Sequence, residues 1–292
     1  MSVYVHGDNI LQKERNEKKY CDNESRKYLK EIRVKYDEWK KSNLKIIGPT
    51  KEHLNTDNEI IVKRVKLFNE YKDFIDQQQF AEKFDSRSNL HSSALEEFIY
   101  YLFKDLVFDY SKYALIGKSH TFKDIFFRSK NYVDMITYPN VFIEKKDHDF
   151  VIGTKIDATF KCKGMKYIDK IDFDIPSIAI ECKTYLDKTM LEGSSTTAEQ
   201  LKNRNPNAMY IIVAERLKLT ESINLKKYKL DQIYILRKQK NTDREFRYLP
   251  EYISNPIFSD VVEHLFNTVR NYLETDWHGM IADGIERGYL IN

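Results

Sequence analysis

Two short runs constrain this chain more than anything else in it. IPSIAI (175–180) and AMYIIVA (208–214) are apolar on both faces of an extended strand, so neither face can be left in water. Strands of this kind sit in the middle of a sheet with helices packed on both sides. SSTTAEQLKNR lies between them and predicts one covering helix over 195–203, with the second strand at 207–214.

The surrounding sequence extends the sheet. NVFIEKK, DFVIG, KIDATFKC and QIYILRK are rich in β-branched and aromatic residues, which predicts strands within 140–183 and a further strand after 230. Just upstream, ALEEFIYYLFKDLVF predicts an amphipathic helix over 92–108, with Leu95, Phe98, Ile99, Leu102 and Leu106 as its buried stripe. Ser93 and Glu96 have capping-box spacing for its first turn. On that wheel Glu96 lies on the flank of the stripe and Glu97 points nearly away from it. SDVVEHLFNTVRNYL predicts a last amphipathic helix, capped by Ser259 or Asp260.

The first 88 residues have a different texture. Leu11, Tyr28, Leu29, Ile32, Tyr36 and Trp39 recur at helical spacing within a densely charged stretch from Asn9 to Lys41, which predicts one long helix or two, closed by Gly48-Pro49. Ile61, Val65, Phe68, Tyr71 and Ile75 repeat the pattern between Glu59 and Phe84. The expected organisation is a charged helical accessory region at 1–88, serving DNA binding or dimerisation, and an α/β domain at 89–292 with a mixed central sheet flanked by helices.

Composition excludes several classes. Cys21, Cys162 and Cys182 are widely spaced and form no CxxC pair, which argues against a disulfide framework or a zinc site. No run approaches the roughly 18 apolar residues of a membrane span, and the N-terminus has no apolar leader core. The expected protein is therefore soluble, cytoplasmic and without a membrane partner. A net charge of +3, from 48 basic against 45 acidic residues, leaves DNA binding to local segregation of charge. The GxGxxG, GxxxxGKS and HExxH patterns are absent.

The chemistry is sought among the carboxylates. Glu-x-Lys occurs at Glu17/Lys19, Glu38/Lys40, Glu70/Lys72, Glu144/Lys146 and Glu181/Lys183, and an isolated pair at a strand end is ordinarily a surface ion pair. Only Glu181 and Lys183 follow directly from a doubly apolar strand, where residues two apart point the same way. Asp149 begins another apolar strand, FVI, which a hairpin would lay beside Glu181. Two adjacent carboxylates repel unless a cation or proton intervenes, and Mg²⁺, bound through a few carboxylates, waters and phosphate oxygens, is the natural occupant. Lys183 would then orient the attacking water and stabilise developing charge. Asp147 competes with Asp149, which is favoured because it abuts FVI. Asp157 and the acids of YIDKIDFD are further alternatives in more polar surroundings. Glu96 is a candidate third ligand from the 92–108 helix, with Glu97 as its competitor. His120 and His148 have no second ligand at metal spacing, and both read as solvated or DNA-contacting.

At these residues the chain resembles a known family. SSALEEFIYYLFKDL, ALIGKSHTFKDIFF, IEKKDHDFVIG, IAIECKTYLDKTMLEGSS and LRKQKNTDREFRYLP are similar to the type II restriction endonucleases related to BbvCI and Bpu10I, within the PD-(D/E)xK nuclease superfamily, over about Asn89 to Leu273. The resemblance implies Mg²⁺-dependent, sequence-specific double-strand cleavage of DNA at a short, nearly palindromic target. It also implies a companion DNA methyltransferase, and action as a homodimer or as a heterodimer with a related subunit. By motif it places the acids and lysine on Asp149, Glu181 and Lys183, with the helix glutamate on Glu96; His148 stands where the superfamily name has proline. A DNA-binding protein that keeps the fold without catalysis, and a repair or recombination nuclease, are the alternatives. Expected DNA contacts are Lys118, His120 and Lys123, then Tyr185 and Lys188 beyond the catalytic strand, and Arg237, Lys238, Lys240, Arg244 and Arg247.

Overall fold

The computed structural model describes residues 3–84, 89–277 and 280–288, with the side chains of 244–245 and 280–283 outside that description. Five strands form one mixed sheet in the order β1-β2-β3-β4-β5. They are β1 (Leu115–Phe127), β2 (Val141–Lys161), β3 (Ile168–Leu186), β4 (Met209–Leu217) and β5 (Gln232–Ile235). β2 runs antiparallel to both β1 and β3, whereas β3, β4 and β5 are mutually parallel. The doubly apolar runs occupy β3 and β4, and Ile178, Ala179, Ile180, Ile211, Ile212 and Val213 are all fully buried.

β2 and β3 continue well beyond their apolar segments, pairing as far as Lys161↔Ile168. Their ladder shifts register at Gly153, which faces Pro176. Proline has no N–H for the ladder, so a central strand accepts it only at such an irregularity. Gly153 is required there because a Cβ would stand 2.1 Å from the Ile175 carbonyl oxygen.

The middle of the α5 helix (Leu90–Tyr110) is out of water on every side: Glu97, Phe98, Ile99, Tyr101, Leu102 and Phe103 are all fully buried. One side lies on the sheet through Phe103 and Phe150. The other is covered by α1 (Val5–Arg15), α2 (Asn23–Lys45) and α3 (Asp57–Ile75), with Phe68 stacked on Phe98 at 4.3 Å and Trp39 on Tyr71 at 4.9 Å. A short α4 (Gln78–Lys83) follows, and α8 (Ser259–Glu274) joins the same cluster by stacking Phe266 on Phe103. The hydrophobic core therefore runs without a break from Ile10 to Val269. The opposite face of the sheet is covered by α7 (Lys188–Lys202), whose Leu191, Ala198 and Leu201 meet Leu186, Ala179 and Tyr210. Helix α6 (Tyr132–Thr137) lies in the connection between β1 and β2, and α9 (Met280–Arg287) follows α8.

Several boundaries differ from the sequence expectation. Of the one or two helices expected in the first charged stretch there are two, α2 being opened by Asp22, which accepts from Ser25 N at 2.9 Å. Arg64, fully buried, donates to the carbonyls of Asn43, Ile46 and Gly48 and so satisfies the end of α2 at the Gly48-Pro49 turn. α5 starts at Leu90 after Asn89 in left-handed conformation, so Ser93 and Glu96 are not its capping box. Ser93 Oγ instead donates to the Asn89 carbonyl and meets His6 Nδ1 at 2.9 Å. α7 starts at Lys188, where Asp187 accepts from Met190 N at 2.8 Å and supplies the cap. Neither Ser259 nor Asp260 caps α8. Strand β1 was not expected at all.

Candidate active site

β3 carries Glu181 and Lys183 out of the buried sheet centre on one face, as the period-two geometry requires. The β2–β3 ladder pairs Phe150 with Ile180, so the next position along brings Asp149 to Glu181. Asp149 Oδ2 accepts the Cys182 backbone N–H at 3.0 Å. Lys183 Nζ lies 2.6 Å from Glu181 Oε1 and 3.4 Å from Asp149 Oδ2, so one ammonium serves both acids. From β4, Tyr210 Oη donates to Glu181 Oε2 at 3.2 Å. Sequence reading missed Tyr210, although a tyrosine within a doubly apolar strand must find a partner for its hydroxyl.

A fourth charge comes from α5. Glu96 is buried against the sheet edge, and Lys118 Nζ of β1 lies 3.3 Å from its Oε2. Burial, reinforced by the Asp149 charge, pushes the Glu96 carboxyl up to about 7. Burial and then Glu181 also raise Asp149, against the pull of Lys183 and the Cys182 N–H. Burial alone would lower the Lys183 ammonium, but Asp149 and Glu181 outweigh it and hold it above the ordinary lysine range. Burial and Glu181 keep the Tyr210 hydroxyl protonated. Glu96 and Asp149 are thus raised by desolvation and crowding, beside two lysines, Lys118 and Lys183, that their acid neighbours keep charged.

The competing acids lie elsewhere. Asp147 is exposed and pairs with His120. Asp157 sits opposite Asp172 in the distal β2–β3 ladder, Asp169 accepts from Val141 N, and Asp174 accepts from Ser119 Oγ. Glu97 is fully buried on the side of α5 away from Glu96, where its carboxylate accepts from His6 N, Gly7 N, Tyr36 Oη and Tyr101 Oη. It does not point to solvent, because α1 covers that side of the helix. His148 is likewise not solvated: it is buried against Tyr210, and burial lowers its imidazole to about 4.

The expected DNA contacts divide. Tyr185 follows the site on β3, and Lys188 is exposed in the first turn of α7. Lys118 faces Glu96 inside the acid cluster, and Lys123 pairs with Glu144. Lys238 pairs with Asp260, while Lys240 donates to the Leu219 carbonyl and to Glu221. Arg237 is a correction: it is only 1% exposed, and its guanidinium is held by Glu215, Asp76 and the Asn255 carbonyl, so it is a core cation. The Arg244 side chain lies outside the described residues. Arg247 is half-buried, donating to Thr242 O and Asn241 Oδ1.

Among the described residues no three carboxylate, imidazole or thiolate groups close into a ready-made metal cage. The donor set still fits Mg²⁺, which is typically held by one or two carboxylates and completes its shell with waters and phosphate oxygens. Asp149 and Glu181 supply hard oxygens at one point, and the upward push on Asp149 and Glu96 comes first from burial and then from carboxylate repulsion, the part that a dication relieves.

The profile of the Bpu10I restriction endonuclease family matches residues 87–290. The chain belongs to the Bpu10I restriction endonuclease family. As a Bpu10I-family protein it is a type II restriction endonuclease, a deoxyribonuclease that binds DNA. A chain of the native BbvCI A2B2 tetramer shares its fold with a TM-score of 0.69, covering 95% of this chain and 100% of that chain at 17% sequence identity. The restriction-endonuclease-like α/β fold expected from the sequence is therefore the fold observed. No curated protein sequence matches the chain. Among the described residues no helix is long and apolar enough to cross a membrane.

Proposed function

We propose that this Bpu10I-family enzyme makes sequence-specific double-strand cuts in DNA by Mg²⁺-dependent phosphodiester hydrolysis of the PD-(D/E)xK kind. The observation that carries the reading is the meeting of Asp149 and Glu181, from adjacent strands, at the single ammonium of Lys183. Asp149 and Glu181 would hold the ion, and Glu96 would complete its surroundings from α5. When bound, Mg²⁺ polarises the scissile phosphate and acidifies a coordinated water. Lys183 is a cation at neutral pH, so it acts by donating hydrogen bonds to the attacking water and to developing negative charge; it is not a proton acceptor. The Tyr210 hydroxyl and the Cys182 N–H fix the two carboxylates from behind. Tyr185 and Lys188, directly beyond the site, are the foremost candidates for backbone contacts, with Lys118 beside Glu96, His120 and Lys123 farther along β1, and Lys238 and Lys240 near the β5 end of the sheet.

In this reading 89–292 is the nuclease domain and 1–88 a helical accessory region. Two chains act on one site, as a homodimer or with a related subunit, because one centre cuts one strand and near-palindromic DNA mirrors two-fold protein symmetry. The enzyme works in the cytoplasm, where a companion methyltransferase protects host DNA. The test is incubation of purified protein with plasmid in Mg²⁺, Ca²⁺ or EDTA. Discrete fragments in Mg²⁺ alone are expected; smears, nicks that never become breaks, or full cutting in EDTA contradict the proposal.

A further inference from the structure

The carboxyl ends of β3 and β4 open onto a cavity of about 430 Å³, which the acid cluster does not line. Its walls come from Thr184 and Tyr185 on β3, Glu215 and Arg216 on β4, the end of α3, the start of α5 and residues 247–254. Crevices at the carboxyl ends of strands are where open α/β sheets hold ligands.

The inner wall of the cavity is already neutralised. Lys72 Nζ lies 3.0 Å from both Asp76 Oδ1 and Glu215 Oε1, and Arg237 Nε donates to Glu215 Oε2 at 3.0 Å. Two guanidiniums are left over. Arg216 is 6% exposed; its Nη2 donates to Ser254 Oγ at 2.9 Å, its Nη1 stands 3.9 Å from Glu215 Oε2, and its Nε has no hydrogen-bond partner. Arg247 donates to the uncharged Thr242 O at 2.9 Å and Asn241 Oδ1 at 2.7 Å. Burial and then the nearby Arg216 charge hold its guanidinium below the ordinary range. Tyr252 Oη and His91 Nε2, which line the same cavity, are also buried without hydrogen-bond partners. Buried polar atoms are nearly always paired in folded proteins. Two like charges beside such atoms form a hollow suited to an oxyanion, whose oxygens match the guanidinium fork. Against the two guanidiniums stands Asp73 on the rim, whose carboxyl burial raises and the Arg237 charge lowers.

We propose that this cavity is a phosphate-binding site in which Arg216 and Arg247 grip one phosphate group. The shared chemistry fits a backbone phosphate of DNA or a free phosphate. For DNA, the inference rests on the nuclease reading: β-strands rise about 3.3 Å per residue, so Tyr185 stands about 7 Å beyond Lys183. Phosphates along one strand advance about 3.4 Å each along the helix axis, so a strand cut at Lys183 carries a phosphate one or two nucleotides away across the cavity mouth. The cavity is much larger than a phosphate and leaves space for its sugar.

The test compares wild type with Arg247→Gln, Arg216→Gln and Lys183→Ala. Thermal unfolding is followed in EDTA with rising inorganic phosphate, against sodium chloride of matched ionic strength. Wild type and Lys183→Ala should gain Tm with phosphate, as ligand linkage requires, and both arginine variants should lose the gain. Arg216→Gln empties a buried position and can fail to fold; Arg247, half-buried and bound to neutral oxygens, then decides the matter alone. A second arm measures duplex binding in Ca²⁺. If the phosphate belongs to DNA, Arg247→Gln lowers the salt slope by about one unit, and a methylphosphonate within two nucleotides of the cut weakens wild type but not the variant. Unchanged DNA binding with a lost phosphate gain assigns the site to free phosphate. A wild-type Tm no higher in phosphate than in chloride, or an equal gain in Arg247→Gln, overturns the proposal. Cutting by Lys183→Ala would overturn the catalytic reading instead, and would leave the phosphate gain untouched.

Discussion

The Cys182 backbone N–H donates to Asp149 Oδ2 at 3.0 Å, tying the carboxylate of one strand to the main chain of the next. Asp149 is thereby positioned by the sheet itself and needs no ion to hold its place. Asp149→Asn keeps an oxygen acceptor for that N–H and removes only the charge. Cleavage in Mg²⁺ should fall by about a hundredfold or more, in line with the loss of a preorganised charge at a reacting centre. Gel-shift affinity in Ca²⁺ should weaken only in proportion to the lost metal contact. Lys183→Ala should show the same separation, with near wild-type binding and no cutting. A Lys183→Ala enzyme that cuts within a few-fold of wild type would make Lys183 an ordinary strand-end cation.

Glu96 gives the site a pH signature. Its carboxyl is raised from 4.5 to about 7, by burial first and by Asp149 second. Without metal, between those values the folded protein holds a proton that the unfolded chain has released. Stability therefore declines as pH rises from about 4.5 to about 7, by roughly 3 kcal/mol over the whole interval, and is flat above it. Glu96→Gln removes this dependence: in urea titrations with EDTA the variant should match wild type at pH 5 and exceed it at pH 8. Mg²⁺ competes with the same proton, so metal affinity should climb through this window in wild type and flatten in Glu96→Gln. Parallel pH profiles for the two proteins would show that Glu96 does not face the ion.

These contrasts show which parts of the molecule its sequence discloses. β3 and β4 are legible because they are apolar on both faces, and the pair Glu181 and Lys183 follows from strand periodicity alone. β1 is not, because its ladder with β2 shifts register between Gly117 and Ser119 and again between Phe122 and Asp124, which resets the side-chain alternation. Glu97 and His148 were misplaced for one reason. A helical wheel or strand pattern assigns one buried face, whereas α5 has the sheet on one side and α1 to α3 on the other, and the second face of the sheet at His148 is covered by Tyr210 and α7. Arg237 sits in a basic-looking segment, and its acids, Glu215 and Asp76, are 22 and 161 positions away in the chain. No local pattern carries that information.

Gly153 links the fold to the chemistry. A Cβ there would stand 2.1 Å from the Ile175 carbonyl oxygen and 2.9 Å from Pro176 Cα, both backbone atoms that cannot rotate aside. Gly153→Ala must push β2 and β3 apart just below Asp149 and Glu181. A loss of about 1 to 3 kcal/mol is expected, as for overpacking elsewhere, with reduced cleavage even where the variant is fully folded. Chemical denaturation together with cleavage at low temperature checks both. Unchanged stability would mean that the ladder irregularity relaxes freely.

The last prediction separates two neighbours on one helix. Glu97 receives four hydrogen bonds, from His6 N at 2.9 Å, Gly7 N at 3.2 Å, Tyr36 Oη at 3.0 Å and Tyr101 Oη at 2.7 Å, and so anchors α1 and α2 to α5. Glu97→Ala strands those donors in the core, where each unsatisfied group costs about 1 to 3 kcal/mol. The two hydroxyls can turn toward other acceptors, but the two backbone N–H groups cannot, so a total loss of about 3 kcal/mol or more is expected. Glu97→Gln keeps one oxygen for the backbone N–H pair and turns its NH₂ to the tyrosine hydroxyls, which can accept, and it should cost far less. Glu96→Ala should do the reverse, sparing stability at neutral pH and reducing cleavage, because its carboxylate belongs to the acid cluster. Urea titrations and Mg²⁺-dependent cleavage rates on folded protein are measured for all three variants. If Glu97→Ala abolishes cutting while its unfolding midpoint stays at the wild-type value, the two glutamates have been given each other's roles.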